Sequence, residues 1–297
     1  MRPMLRPGLQ ILRRDMFTLQ LGLDWPGLAV VEETPVVRAV LDAIDGYRDV
    51  AGVVLCAMDA AGLPRSDCEA ALALLVECGA VVAQTATSSA VSEPAWTALS
   101  LLAGPDHTAA DLLRERAVCS VYVDGVGQVA SQVHAALALA QLKLSQTAAG
   151  AGLVVMATDS EPARSRVDDL MHLGVPHLWV CLRDLVGVLG PFVIPGHTAC
   201  LRCVDAARTD RDPAWPALLD AAAARPLPVT ASDPVLCALV ASWAVLEAQT
   251  WAAGLHPQTS DRVIEVPYGC GAVQTEEFDL HPHCGCGWPT WQDTMGA

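Results

Sequence analysis

Ser120-Val-Tyr-Val-Asp124-Gly-Val-Gly127-Gln-Val-Ala130 holds a short apolar run, a glycine turn and the start of a helical pattern that continues to about Leu142. A second strand, Leu153-Val-Val-Met-Ala157, is followed by a helix over about Glu161–Leu173, and His177-Leu-Trp-Val-Cys181 reads as a third strand. Val186–Ile194 holds two more short strands around Gly190-Pro191. Strands alternating with helices predict an α/β fold with a mainly parallel, helix-flanked sheet. Pro234–Leu255 is apolar on nearly all sides, which predicts a helix that is buried or dimer-forming, and residues 262–280 read as a final antiparallel pair.

Upstream, the rhythm differs. Leu9–Arg13, Thr18–Leu23 and Leu28–Val31 are short strand-like runs separated by turns at Asp15-Met-Phe17 and Asp24-Trp-Pro-Gly27. Thr34 then Pro35 supplies an N-cap and a proline at the first helical position, with Gly46 to close that helix. Two more helices are expected, over about Val50–Ala60 and from about Ser66 to Gly79, with Val81-Val82 as a closing strand or wing. This order predicts a winged-helix-like unit over residues 1–85. Residues 86–117 read as a helical connector, broken at Ser88-Ser89 and Gly104-Pro105-Asp106, with a short helix over Ala109–Arg116. The α/β domain then occupies 118–297.

The chain has 297 residues, 53% apolar and 17% charged, a balance that excludes disorder, a collagen-like fibre and a charged coiled coil. Eighteen Lys and Arg face 33 Asp and Glu, a formal charge of −15, so nucleic acid or an anionic membrane surface would be repelled. The 17-to-1 excess of Arg over Lys reads as compositional bias. Leu185–Leu201 carries Gly, Pro and His, and Pro234–Leu246 has thirteen residues, short of the roughly 18–20 clean apolar residues of a span. Arginines at 2, 6, 13 and 14 leave no room for a signal-peptide core. The expectation is a cytoplasmic protein with reduced thiols.

Of eleven cysteines, Cys56, Cys68, Cys78, Cys119, Cys181, Cys237 and Cys270 stand singly in apolar runs and read as small buried hydrophobes. The other four form Cys200-Leu-Arg-Cys203 and, 80 residues further on, Cys284-Gly-Cys286. Two close thiolate pairs suit a tetrahedral, structural Zn²⁺, each pair spanning one edge. His281 and His283 adjoin the second pair as substitute ligands, and four unrelated thiols or a disulfide are the competing readings. Gly125 and Gly127, between strand and helix, fit a nucleotide-binding turn. A purely structural turn is the alternative, because residues 125–158 hold no Asp or Glu and one cation, Lys143. Asp159, after the second strand, can hold Mg²⁺ on a triphosphate; alternatively Thr158 or Asp159 caps the next helix. Asp210 and Asp212 read as part of an ordered, ion-paired surface loop over Arg208–Pro216, with Trp215 packing on the zinc module or a second subunit. His134, His172 and His177 have no partners at ligand spacing. No Ser-His-Asp or Cys-His set is present.

Ala157-Thr-Asp-Ser-Glu-Pro-Ala-Arg164, Gly174-Val-Pro-His177, Gly190-Pro-Phe-Val-Ile-Pro-Gly196 and Cys200-Leu-Arg-Cys203 together resemble the second half of the ThiF/MoeB/E1-like adenylyltransferase domain. Pro195–Cys203, Thr209–Pro216 and His281–Cys286 are similar to ThiF-like partners of thiazole/oxazole-modified peptide (TOMM) cyclodehydratases. Residues 5–85, with Leu5-Arg-Pro-Gly, Leu12-Arg-Arg-Asp and Leu19-Gln-Leu-Gly22, resemble the recognition element of ribosomal peptide pathways, a relative of the peptide chaperone of pyrroloquinoline quinone synthesis. The resemblance implies zinc on Cys200, Cys203, Cys284 and Cys286, a former phosphate turn at Gly125 and Gly127, and a Mg²⁺-associated Asp159. Family enzymes carry an acidic strand and a cationic ATP clamp after the glycine turn. Here 26 residues separate Gly127 from Val154 and supply neither, so the resemblance implies eroded ATP/Mg²⁺ chemistry.

The function expected is a non-catalytic scaffold for ribosomal peptide modification. An extended leader peptide would add to the sheet edge at Leu28, Ala29, Val30 and Val31, with Leu72, Leu75 and Val76 as groove wall. The second domain would form a homodimer or dock a YcaO-type cyclodehydratase. DNA binding is disfavoured, since residues 1–85 carry 7 basic and 11 acidic side chains. The alternative is an ATP-dependent adenylyltransferase acting on a peptide or carrier C-terminus.

Overall fold

A computed structural model describes residues 1–24, 27–85, 88, 90–104, 107–224, 231–269 and 271–287. The chain divides into two compact units, Met1–Arg114 and Glu115–Ala297.

The first unit runs β1 (Pro3–Leu5), β2 (Ile11–Arg13), β3 (Thr18–Leu21), β4 (Ala29–Glu32), α1 (Pro35–Ala43), α2 (Val50–Ala61), α3 (Arg65–Glu77), β5 (Val81–Ala83), α4 (Glu93–Leu102) and α5 (Ala109–Val118), whose last turn passes into the second unit. Thr34 Oγ1 accepts the Val37 N–H and caps α1, and Asp49 caps α2 in the same way. β2, β3 and β4 form an antiparallel sheet in that order, while β1 and β5 form a separate two-stranded ribbon. Proline and glycine punctuation hides β1 in the sequence: three residues before Pro7-Gly8 carry no alternation of their own. Leu19, Leu21, Val31, Val40, Val53, Ala57, Cys68, Leu72 and Leu75 make one core under the sheet. Arg6, 3% exposed, is buried beside the ribbon. Its guanidinium donates to the carbonyls of Gly79 at 2.6 Å, Ser100 at 2.8 Å and Gly104 at 2.7 Å, fastening the end of α3 to α4.

The second unit adds β6 (Ser120–Asp124), α6 (Gln128–Ala140), β7 (Lys143–Leu144), β8 (Leu153–Thr158), α7 (Arg164–Leu173), β9 (His177–Arg183), β10 (Val186–Val193), α8 (Leu201–Arg211), α9 (Trp215–Ala224), α10 (Pro234–Ala252), β11 (Arg262–Pro267) and β12 (Gln274–Glu277). The sheet order is β12-β11-β10-β9-β8-β6-β7. β7, β6, β8 and β9 are parallel, and β10, β11 and β12 extend the sheet antiparallel. Strand alternation divides the core. Val121, Leu153, Val155, Leu178 and Val180 face α6 and α10, whereas Val154, Met156, Trp179 and Cys181 face α7 and α8.

Three expectations are corrected here. Val186–Val193 is one strand, its register shifted between Leu189 and Phe192, rather than two. Residues 208–216 are not a loop: α8 runs through Arg211, and α9 starts at Trp215. The expectation that no segment is of membrane-spanning length is corrected too. The clean apolar run ends at Leu246, before Glu247, but the helix expected over Pro234–Leu255 runs to Ala252. It is 19 residues long and apolar enough to cross a membrane by length and composition, half of it buried inside the structure. Of the lone cysteines, Cys68, Cys181 and Cys237 are buried and Cys56, Cys78 and Cys119 partly so. Cys270 lies outside the described residues. His177 is a core residue whose Nδ1 lies 2.9 Å from the Val175 carbonyl, and burial lowers its pKa.

Arg6→Ala removes three charge-assisted hydrogen bonds and leaves three carbonyls short of a donor. It should lower stability by about 3 kcal/mol, read as a lower denaturant midpoint. Arg6→Lys should recover only part, because an ammonium cannot reproduce the planar fork.

Candidate functional site

α8 starts at Leu201 with Cys200 as its N-cap residue. Positions i and i+3 at a helix start put Cys200 and Cys203 on one face, and both are fully buried. A turn in which the Cys284 N–H donates to the His281 carbonyl at 2.9 Å brings in the second pair. The four sulfur atoms all lie within 4.8 Å of one another. Cys200 to Cys203 is 3.9 Å, Cys200 to Cys284 3.5 Å and Cys203 to Cys286 3.3 Å. A tetrahedral thiolate site with metal–sulfur bonds of about 2.3 Å has edges of about 3.8 Å, so the cluster can hold a metal ion with little adjustment.

The surroundings favour thiolate. Cys203 is lowered to about 5, first because the Cys200 thiol donates toward it and then because the His281 backbone N–H does so at 3.3 Å. The same bond raises Cys200, while burial raises Cys286 to about 12. A cation at the centre would replace this proton sharing. The four sulfurs come together without either histidine. The His281 ring instead lies 3.0 Å from Asp210 on α8. Trp215 packs on α8 beside this module, its Nε1–H donating to Asp205 at 3.1 Å with the Arg208 guanidinium over its ring at 5.1 Å.

The glycine turn lies at the carboxyl end of the parallel strands. Gly125 and Gly127 have φ +148° and +112°, and a Cβ at Gly125 would sit 1.8 Å from the Ala157 carbonyl oxygen. At Gly127 it would sit 2.4 Å from Asp159 Oδ2. The glycines therefore admit the end of β8. Asp159 Oδ2 and Oδ1 accept the first-turn N–H groups of α6, from Gln128 and Val129, both at 2.9 Å. Asp159 is thus corrected as a cap of the helix that follows it: it caps α6 from across the sheet, where a phosphate would otherwise seat. The neighbouring arginines are committed too. Arg166 pairs with Asp124 at 2.5 Å, Arg164 with Asp205 at 2.6 Å and Arg183 with Glu161 at 2.9 Å.

In the first unit, β4 pairs only with β3 among the described residues. The Glu33 N–H donates to the Phe17 carbonyl at 2.7 Å. By antiparallel alternation the backbone groups of Val30 and Glu32 therefore point outward. Leu28 is 42% exposed and Val30 43% exposed. Leu28 reaches the end of α3, where a Cβ at Gly79 would meet its Cδ2 at 3.9 Å. Ala29 and Val76 are partly buried. Leu72 and Leu75 are corrected as groove wall, since both are buried in the core, and Val31 is corrected as an edge contact, since its side chain is buried there too. The large apolar side chain that α3 does expose is Leu74.

No family model matches the chain, and no curated protein does. Solved structures do. The E. coli protein MccB shares 11% identity at a TM-score of 0.69, with 98% of each chain covered. This chain has the fold of MccB. The heterocyclase TruD matches at 18% identity and a TM-score of 0.70 over 96% of this chain and 43% of TruD. A heterocyclase in complex with substrate and cofactor matches at 18% and 0.69, over 96% and 39%. The chain thus spans less than half the length of these heterocyclases and the whole of MccB.

Metal analysis of the purified protein should find about one ion per chain, and none when Cys200→Ala and Cys284→Ala are combined. Retention of metal by the double variant would remove the cluster as its site.

Proposed function

We propose that this chain is a leader-peptide-binding scaffold of thiazole/oxazole-type ribosomal peptide modification. Its first unit works as a winged-helix-like recognition element. The open outer edge of β4 carries the reading: an extended peptide can pair there with the Val30 and Glu32 backbone and rest apolar side chains on Leu28, Val30 and Val76. The fold shared with heterocyclases over part of their length supports a role beside the modifying enzyme, a YcaO-type cyclodehydratase. The second unit holds a structural Zn²⁺ on Cys200, Cys203, Cys284 and Cys286, which ties the last segment to α8. It forms a homodimer or docks that enzyme through the exposed side of α10 at Val235, Leu239 and Leu246. The protein works in the cytoplasm.

The second reading is an adenylyltransferase, favoured by likeness over its whole length to MccB, which has been solved with ATP and with MccA. Local chemistry opposes it. Asp159 fills the α6 amides, and Arg164 and Arg166 are held in ion pairs, so a triphosphate entering there would meet a carboxylate.

The gene neighbourhood should hold a short precursor peptide and a cyclodehydratase. With that peptide fluorescently labelled, Val30→Pro should weaken binding about tenfold or more by anisotropy. Its melting temperature and metal content should be unchanged, because the lost N–H faces outward. Unaltered affinity would place the peptide elsewhere. ATP–pyrophosphate exchange with the same peptide should stay at background, and clear turnover would replace the scaffold reading with the enzyme.

A further inference from the structure

Asp261 takes no part in the arrangements described so far. It has a left-handed backbone, φ +57°, one residue before β11. The β11–β12 ladder pairs Arg262 with Glu277, and one step beyond it the Phe278 N–H donates to the Asp261 carbonyl at 2.8 Å. Its side chain points to a different segment: Oδ1 accepts the Ala199 N–H at 2.6 Å. Ala199 immediately precedes Cys200, and Phe278 begins the stretch that reaches Cys284 and Cys286. One residue therefore holds the approach to both cysteine pairs, one through its backbone and the other through its carboxylate. Ala199, Cys200 and Phe278 are buried in a single core cluster, with Cys284 and Cys286 packed against it.

The bracket is itself anchored. Glu247, 3% exposed on α10, accepts both the Thr259 N–H at 2.9 Å and the Thr259 hydroxyl at 2.8 Å on one carboxylate oxygen. The Arg262 N–H returns to the Thr259 carbonyl at 3.1 Å, closing the turn that presents Asp261. The position demands two properties at once: tolerance of a left-handed backbone and a short side-chain acceptor. Asp and Asn combine them.

We infer that Asp261 is a positioning residue for the four-cysteine site, setting the separation of the two thiolate pairs and thereby the affinity and geometry of the bound metal. This rests on the metal reading of that cluster. A ligand's outer partners are generally worth about 10- to 100-fold in metal affinity.

The test uses the full-length protein, with Zn²⁺ affinity measured by competition with a chromogenic chelator and geometry by the visible spectrum of the Co²⁺-substituted form. Asp261→Asn keeps both properties and should bind within about threefold of the parent. Asp261→Gly keeps the backbone but not the acceptor; it should lose about tenfold or more and shift the Co²⁺ bands. Asp261→Ala loses both properties and should be weaker still. A Gly variant with parental Zn²⁺ affinity and an unchanged Co²⁺ spectrum would overturn the inference even if its melting temperature fell. Failure of the parent protein to bind Zn²⁺ or Co²⁺ would instead overturn the metal reading, and the inference with it.

Discussion

Two amide N–H groups at the start of α6 find their acceptor within the chain, in the carboxylate of Asp159. A helix N-terminus behind a glycine turn concentrates partial positive charge and unsatisfied donors. In the parallel half of this sheet it lies where an anionic ligand would otherwise be drawn. With Asp159 seated there, the charge is answered and the donors are used. Gly127 is needed to make room for that carboxylate, and Gly125 to make room for the backbone of β8. The turn thus locks β6, α6 and β8 together, and the arginines nearby are held by acids of the same unit. This turn sits in the fold shared with MccB with its helix start answered from within the chain.

The rest of the second unit depends on closing its last segment. That segment carries little apolar surface: β12 is largely exposed, and Phe278 is the one large side chain it buries before the cysteines. Beyond it, Cys284 and Cys286 come within 4.8 Å of Cys200 and Cys203 at the start of α8. The ion pairs of Arg183 and Arg208 with Glu265 add links between the sheet and α8. The first unit solves a different problem. Its core closes over α1, α2 and α3 without a further strand beside β4, whose outer edge stays open among the described residues.

Much of this was legible along the chain. The continuous apolar runs of β8 and β9, the Thr34-Pro35 start of α1 and the Cys-x2-Cys with Cys-x-Cys spacing each carry their physics within a few residues. The misreadings share a cause. Leu72 and Leu75 read as an apolar helix face, but a face alone does not say whether core or solvent lies opposite. The Arg208–Pro216 stretch reads as loop from its prolines and charges, yet Trp215 lying against Asp205 and Arg208 holds a second helix there. β1 is too short to show alternation and exists because Val81–Ala83 pairs with it.

By itself the sequence determined the alternation of strands and helices, the division into unlike halves and the thiol pairs, because propensity, capping and ligand spacing act over one or two turns of chain. Tertiary structure alone decided that Asp159 turns back to the preceding helix. It alone brought thiols 80 residues apart within a metal's reach, and placed Asp261 between both arms of that cluster. Those outcomes depend on which segments lie side by side, and hydrogen bonds between distant segments leave no periodic trace along the chain.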